Sequence, residues 1–360
     1  MILLPLTLTF WPAGWLVLGR IRRCGPVTAN QSVSGEQLSI IIPARNEENN
    51  LPRLLRSLAE QSVRPKEIIV VDDASTDRTA EVARQHGAKV LASLPLPEGW
   101  RGKTWACQQG ARAAAGETLL FLDADTWFEP DGLARALSEF PATSRGALSI
   151  APYHVIHDFH EQFSAFFNLI MLAGTGAFTL LGDRFRKPGL LGQFLLVDRV
   201  SYEKIGGHET VKGRVLENFW LAKQLRAANV PTRCRSGRGV FSFRMYPEGW
   251  RQLVDGWTKG FASGAGQTPL PILLLIIAWL VGIFFAPIGI VTQNAPWPWL
   301  ATYGLCAVQV GWLLRRTGTF HWSATVFYPA FVLFFFAVFA RSAMRTGKTV
   351  NWKGRALHAD

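Results

Sequence analysis

Between residues 38 and 122 the chain alternates short, fully apolar runs with stretches of helical period. Leu38 to Pro43 reads LSIIIP, a buried strand closed by proline. Glu48 to Gln61 carries Leu51, Leu54, Leu55 and Leu58 at the spacing of one helix face. Glu67 to Val71, EIIVV, is a second buried strand, followed by DDASTD and a helix to about Gln85. Lys89 to Ala92 is a short third strand and Thr104 to Ala115 a helix of small residues. Thr118 to Leu122, TLLFL, is a fourth strand. Continuous apolar strands alternating with helices predict an α/β domain, a mostly parallel sheet flanked by helices. Ligands of such sheets gather beyond the carboxyl ends of the strands. The polar strings fall there: PARNEE after the first strand, DDASTD after the second, DADT after the fourth.

The two ends of the chain have another pattern. Met1 to Gly19 is free of charge and is followed by Arg20, Arg22 and Arg23. A secretory leader would place basic residues before its apolar run and a small-residue cleavage site after it. The order here predicts a membrane anchor over 1–19, with its basic flank in the cytosol. Leu270 to Val291, Trp297 to Leu314 and Ala324 to Ala340 are long enough to cross roughly 30 Å of hydrocarbon. They define a C-terminal membrane region over 270–340, ahead of a basic tail over 341–360. Arg315, Arg316, Arg341, Arg345, Lys348, Lys353 and Arg355 all favour the cytosolic side, which three simple crossings do not satisfy. Gly282 and Pro287 mark the first segment as a re-entrant candidate, and the path stays open.

Phe163 to Gly182 is also uncharged, but a crossing there would part Asp125 from Glu217. It is read as a membrane-interfacial helix over 163–182, with Ser164 and Asn168 on its wetter face. The mixed aromatic and basic stretch 241–262 is read as a second one, with Trp250 and Trp257 at headgroup depth. The globular domain then spans 38–262 and faces the cytoplasm, in a multi-pass protein of the cell membrane.

Composition narrows the partners. The 360 residues are 49% hydrophobic, and 38 Lys and Arg against 26 Asp and Glu give a net charge of +12. That charge suits nucleic acid, an anionic membrane or an anionic substrate. The apolar runs and the placing of the basic residues favour the last two, with no nucleic acid. Cys24, Cys107, Cys234 and Cys306 have no paired spacing, so neither a disulfide framework nor a zinc finger is expected.

Asp123 and Asp125 stand just past TLLFL, where both carboxylates reach one hard cation. Mg2+ or Mn2+ takes one or two carboxylates and fills its other positions with phosphate oxygens and water. Away from a strand end, DxD is usually a solvated turn. In DDASTD, Ser75 or Asp77 caps the next helix, while an Asp at the strand end bonds a base or ribose. PARNEE is either a helix start or a nucleotide-binding loop. His154, His157 and His160 form HxxHxxH without an acidic or cysteine partner at ligand spacing. His154 is therefore assigned to the acceptor or phosphates rather than to metal. His208, in GGH, is by pattern a turn residue.

Taken in order, IIPARNEE, VVDDASTD, GKTWACQQG from Gly102 and LFLDADT resemble the family 2 glycosyltransferases of GT-A fold, over about Leu38 to Ala228. The resemblance implies that Pro43, Arg45, Glu47, Asp72 and Asp73 surround the nucleoside of a nucleotide-sugar donor. It implies that Lys103 meets the nucleotide or its phosphates, that Asp123 and Asp125 hold Mg2+ or Mn2+ at the catalytic centre, and that His208 joins the site. APYHVIHDFHEQFSAFFNLI, GGHETVKGRVLENFWLAKQL, FRMYPEGWRQLVDGWTKGFASGAG and VNWKGR extend it over nearly the whole chain. These strings are similar to the bacterial carotenoid glycosyltransferases, the 4,4′-diaponeurosporenoate branch above all.

That branch implies inverting transfer of a hexose from a UDP-sugar, UDP-glucose in the first place, to a carotenoid carboxylate in the membrane. A hopanoid, ceramide-like or polyprenyl lipid is the alternative acceptor. A non-catalytic nucleotide-sugar-binding membrane protein is the alternative of another class. Many family members carry Glu-Asp where this chain has Glu217-Asn218. Either Glu217 is the catalytic base or no strong base is needed, since a carboxylate acceptor is already ionised at neutral pH. Arg244, Trp250, Arg251 and Lys259 are candidates to clamp the diphosphate or meet the acceptor, although the QxxRW string of related synthases is absent. Trp352 to Arg355 folds back to the site or anchors on the membrane surface.

Overall fold

The computed structural model describes residues 3–28, 33–140, 145–182, 189–214, 216–258, 266–345, 349–352 and 355–358. The opening apolar run forms two short helices, Leu3–Phe10 (α1) and Ala13–Leu18 (α2). The break falls at Trp11–Pro12, where proline has no amide hydrogen to continue the first helix. The chain then joins the edge of the sheet, with Ser236 N donating to the Arg22 carbonyl at 2.7 Å.

In chain order there follow Leu38–Ala44 (β1), Leu51–Ala59 (α3), Glu67–Asp72 (β2), Thr79–Gln85 (α4), Lys89–Ala92 (β3) and Gly102–Ala113 (α5). Next come Thr118–Leu122 (β4), Thr126–Phe128 (β5), Gly132–Ser138 (α6), Ala147–Ala151 (β6), Tyr153–His154 (β7) and Ala165–Gly174 (α7). Phe194–Asp198 (β8), Arg199–Lys204 (α8), Glu217–Ala227 (α9), Thr232–Ser236 (β9), Phe241–Phe243 (β10) and Trp250–Thr258 (α10) complete the sheet region. The main sheet has the order β3-β2-β1-β4-β8-β6-β9. Pairing is parallel from β3 through β4, whereas β8 runs against both β4 and β6. Successive side chains point to opposite faces. Ile40 and Ile42 therefore pack with Leu51, Leu54, Leu55 and Leu58 of α3, while Ile41 packs with Ala106, Cys107 and Ala111 of α5. Burial on both faces is why these strands are apolar throughout.

The C-terminal part consists of Leu270–Thr292 (α11), Trp297–Thr317 (α12), Trp322–Val326 (α13) and Tyr328–Arg345 (α14), then the hairpin Thr349–Trp352 (β11) and Arg355–His358 (β12). Among the described residues α11 alone is long and apolar enough to cross a membrane; Leu3–Leu18 and Tyr328–Met344 are shorter apolar helices. It runs unbroken through Gly282 and Pro287. Lys259, Lys348 and Lys353 lie outside the described residues.

Two expectations change. The run from Phe163 is not amphipathic: α7 is buried on nearly every side, in one core shared with α2, α10, α11, α12 and α14. Ser164 and Asn168 are fully buried rather than wet. They find partners inside: Trp257 Nε1 donates to Ser164 Oγ at 3.0 Å, and Asn168 Nδ2 to the Thr317 carbonyl at 3.4 Å. A helix apolar all round belongs in an interior. The stretch from Phe241 likewise does not begin as a helix. β10 joins β5 and β7 in a small sheet, and positive φ at Tyr246 and Gly249 delays the helix to Trp250. Of its two tryptophans, Trp250 faces outward and Trp257 is buried in the shared core.

Candidate active site

β1 and β2 are parallel neighbours in register at Ala44 and Asp72, so the loops leaving them emerge side by side. Hydrogen bonds stitch the loops together. Asn46 N donates to Ser75 Oγ at 3.0 Å, Thr76 N to Asn46 Oδ1 at 2.8 Å, and Glu47 N to Thr79 Oγ1 at 2.8 Å. Asp77 accepts from Glu48 N at 3.1 Å and from Thr79 N at 3.0 Å, so it starts α4 and bridges the loops at once. Burial pushes the Asp77 carboxyl up, but these bonds outweigh it and hold the group below its ordinary value. The bends at Asn46 and Ala74, with φ of 53° and 54°, lie where few residues other than glycine sit. Arg45 Nη1 donates to the Asp73 carbonyl at 2.6 Å, and Asp72 Oδ1 accepts from Ser75 N at 3.2 Å. Arg45, Glu47, Asp72 and Asp73 thus belong to one hydrogen-bonded cradle at the strand ends.

Beside it, β4 ends at Leu122 and delivers Asp123 and Asp125. Asp123 N donates to the Gln193 carbonyl at 3.2 Å, and Thr126 Oγ1 to the Asp123 carbonyl at 2.6 Å. Lys103, in the first turn of α5, sits with Nζ 2.7 Å from Asp123 Oδ1 and 3.1 Å from Glu217 Oε1. Burial pulls the ammonium down, but the Asp123 and Glu217 carboxylates reverse this and hold it well above its ordinary value. Glu217 opens α9, and Asn218 Nδ2 donates to Glu217 Oε1 at 2.7 Å. Pro43, Lys103, Asp123, His208, Glu217 and Asn218 line one small cleft. His208 is buried, with its ring against Phe121 and Nδ1 2.9 Å from the Tyr202 hydroxyl. Burial holds its pKa down to about 3, so it stands there neutral.

Burial, helped by the Asp123 and Glu47 carboxylates and opposed by Lys103, pushes the Asp125 carboxyl up to about 7. Negative charge at this corner is under-compensated. Among the described residues no three Asp, Glu, His or Cys side chains converge as a closed metal cage. Two hard carboxylates with surplus negative charge instead fit Mg2+ or Mn2+, whose remaining positions go to phosphate oxygens and water.

Other candidates lie elsewhere. His154 is a correction: it is fully buried between Phe243 and Phe320, and among the described residues neither ring nitrogen has a partner. Arg244 does not reach into the cleft but pairs with Asp158 at 2.7 Å and with buried Glu161 at 2.6 Å. Arg251 is almost wholly exposed, 3.9 Å from Asp255, and half-exposed Trp250 packs on Phe163. Gly192 and Gln193 were not foreseen. They reach Asp123 because β8 pairs with β4 at Leu122 and Phe194, a long-range match that no local motif announces. A Cβ at Gly192 would stand 2.6 Å from Asn218 Nδ2, so a larger residue there would push the Asn218 amide aside.

A GT-A-like sheet with a hydrogen-bonded loop cradle, paired aspartates and Lys103 at adjoining strand ends is the framework of a glycosyltransferase. The chain belongs to the family 2 glycosyltransferases: the Glycosyl transferase family 2 profile matches residues 39–206. It is 34% identical over 352 residues to the 4,4′-diaponeurosporenoate glycosyltransferase of Staphylococcus aureus (strain USA300), covering 95% of this chain and 93% of that protein. The protein of that name from strain MRSA252 matches at the same identity and coverage. A mannosyltransferase from Pyrobaculum calidifontis, solved with GDP-Man and Mn2+, matches in fold with a TM-score of 0.58 at 16% identity, over 95% of this chain and 94% of its own.

Proposed function

We propose that the enzyme transfers a hexose, from UDP-glucose in the first place, with inversion, to the carboxylate of a membrane-dissolved carotenoid such as 4,4′-diaponeurosporenoate. The observation that carries this reading is the chain of contacts Asp123–Lys103–Glu217, completed by Asn218 where a second carboxylate would serve as base. The name of the Staphylococcus aureus relative supports the acceptor.

The cradle of Pro43, Arg45, Glu47, Asp72 and Asp73 takes the nucleoside. Lys103 meets the diphosphate. Asp123 and Asp125 would hold the divalent cation, which when bound neutralises charge on the departing diphosphate. One oxygen of the acceptor attacks the anomeric carbon from the face opposite UDP. The bond from that carbon to the β-phosphate oxygen breaks, and its electron pair leaves with UDP. A carboxylate of pKa near that of a Glu side chain, about 4.3, arrives already ionised, so no proton has to be removed. Glu217, joined to Lys103 and Asn218, then serves chiefly to hold Lys103. The apolar helices keep the enzyme in the membrane that dissolves its acceptor, with the catalytic domain on the cytoplasmic side where Arg20, Arg22 and Arg23 are retained.

The test is mass spectrometry of lipids from a carotenoid-acid-producing host, with and without the protein and with its Asp125→Ala variant. A carotenoid gaining one hexose only with the active protein is expected. Hexose appearing on a hopanoid, ceramide or polyprenyl lipid instead would overturn the acceptor, and no UDP release with any extract would overturn catalysis.

A further inference from the structure

Tyr246 has a φ of 60°, a conformation bulky residues avoid. One short turn holds it there. Arg244, two residues earlier, is clamped by Asp158 and Glu161, and His160 Nε2 lies 2.9 Å from the Tyr246 carbonyl. On the other side the ring lies on α10, where residue 256 is glycine; a Cβ there would overlap it. The Trp257 ring completes the seat, 5.5 Å away.

The direction of the segment is set by the small sheet. β10 runs antiparallel to β5 with Phe243 opposite Thr126, so the chain leaving Phe243 passes beside Asp125. A tyrosine hydroxyl is protonated at neutral pH and stands as a hydrogen-bond donor. Among the described residues the hydroxyl has no hydrogen-bond partner. Behind it, rings touch in series from Trp257 to Phe167, Phe334, Phe163 and half-exposed Trp250. Phe167 and Trp257 lie within the shared core, while Phe163 and half-exposed Trp250 form the outer end of the series, where a long apolar molecule leaving Tyr246 would lie.

We propose that Tyr246 is a specificity-determining residue for the acceptor, its hydroxyl donating a hydrogen bond to an oxygen of the acceptor's carboxylate beside Asp125. This rests on the transfer reading above. A donor bonded to an ionised oxygen discriminates it from a neutral one more strongly than apolar contact does.

The experiment uses the full chain in phospholipid vesicles with UDP-glucose, comparing a carotenoid carboxylic acid with the corresponding primary alcohol. Tyr246→Phe, which keeps the ring, is expected to raise the KM for the acid at least about tenfold while the KM for UDP-glucose holds, narrowing the preference for acid over alcohol. Gly256→Ala, which displaces the ring, is expected to shift the acid KM in the same direction. Unchanged acid KM in Tyr246→Phe overturns the proposal alone. An equal rise in the UDP-glucose KM overturns it too, by showing a role in the donor site or the fold. Wild-type transfer to neither acceptor overturns the acceptor reading itself.

Discussion

Around the loop cradle at the ends of β1 and β2, bonded partners lie about thirty residues apart in sequence, as with Asn46 and Ser75 at a separation of 29. Around the aromatic series they come from much farther: Ser164 and Trp257 are 93 residues apart, Asn168 and Thr317 149. The first region is polar, built on backbone amides and carboxylates at neighbouring strand ends. The second is a set of packed rings drawn from α7, α10, α14 and the short turn of helix before α7 that carries Phe163. If the first region takes the donor and the second the acceptor, as proposed, changes in the two regions should separate in kinetics.

The largest effect is expected at the carboxylates. Asp125→Ala should lower UDP release by about a thousandfold or more, the scale of losing a charge-stabilising group, and chelation of divalent cations should do the same. Lys103→Met should cost roughly a hundredfold in kcat. A variant turning over within tenfold of wild type would remove Lys103 from the donor side. Glu217→Gln tests the base. With a carboxylate acceptor it should lose less than about tenfold, whereas a true general base would lose roughly 10²–10⁴-fold. Phe163→Ala belongs to the other region. It should raise acceptor KM several-fold, about what one lost apolar contact gives, and leave the UDP-glucose KM alone; a shift in both would break the contrast.

The smallest effect concerns stability. Burial holds His154 down to about 3, against about 6.5 in an unfolded chain. Between those values the unfolded chain binds a proton that the folded one refuses, so stability is full above about pH 6.5 and falls as the pH drops toward 3. His154→Leu should flatten that acid limb by up to about 1.4 kcal/mol per pH unit, read as thermal midpoints from pH 7 to 5. Parallel limbs in both proteins would count against a neutral, buried His154.

The same contrast explains what the residues revealed beforehand. β4 and the position of Asp123 were legible because a fully apolar run ending in a carboxylate is a local signal, as were the loops at Asn46 and Ala74. The reversed strand β8 was not, since pairing of Leu122 with Phe194 depends on chain far away. α7 was misjudged for a related reason: an uncharged run without a period says that it is buried, not by what. The aromatic and basic residues of 241–262 suggested a helix at the membrane surface, yet Phe241 and Phe243 were already satisfied as a strand beside β5. Tyr246 sits inside the string FRMYPEGW, but nothing local in it announces a residue beside Asp125.

The core around α7 reaches from Ala151 and Cys234 of the sheet to Ile276, Val310 and Phe335 of the long helices. The catalytic part has consequently no finished boundary on that side. A chain cut after Thr258 would bare Phe166, Phe167 and Leu169, a patch that drives aggregation rather than yielding a soluble enzyme. Heating should melt the site and the long C-terminal helices in a single transition. Exchanging those helices for another set would demand that α7 travel with them.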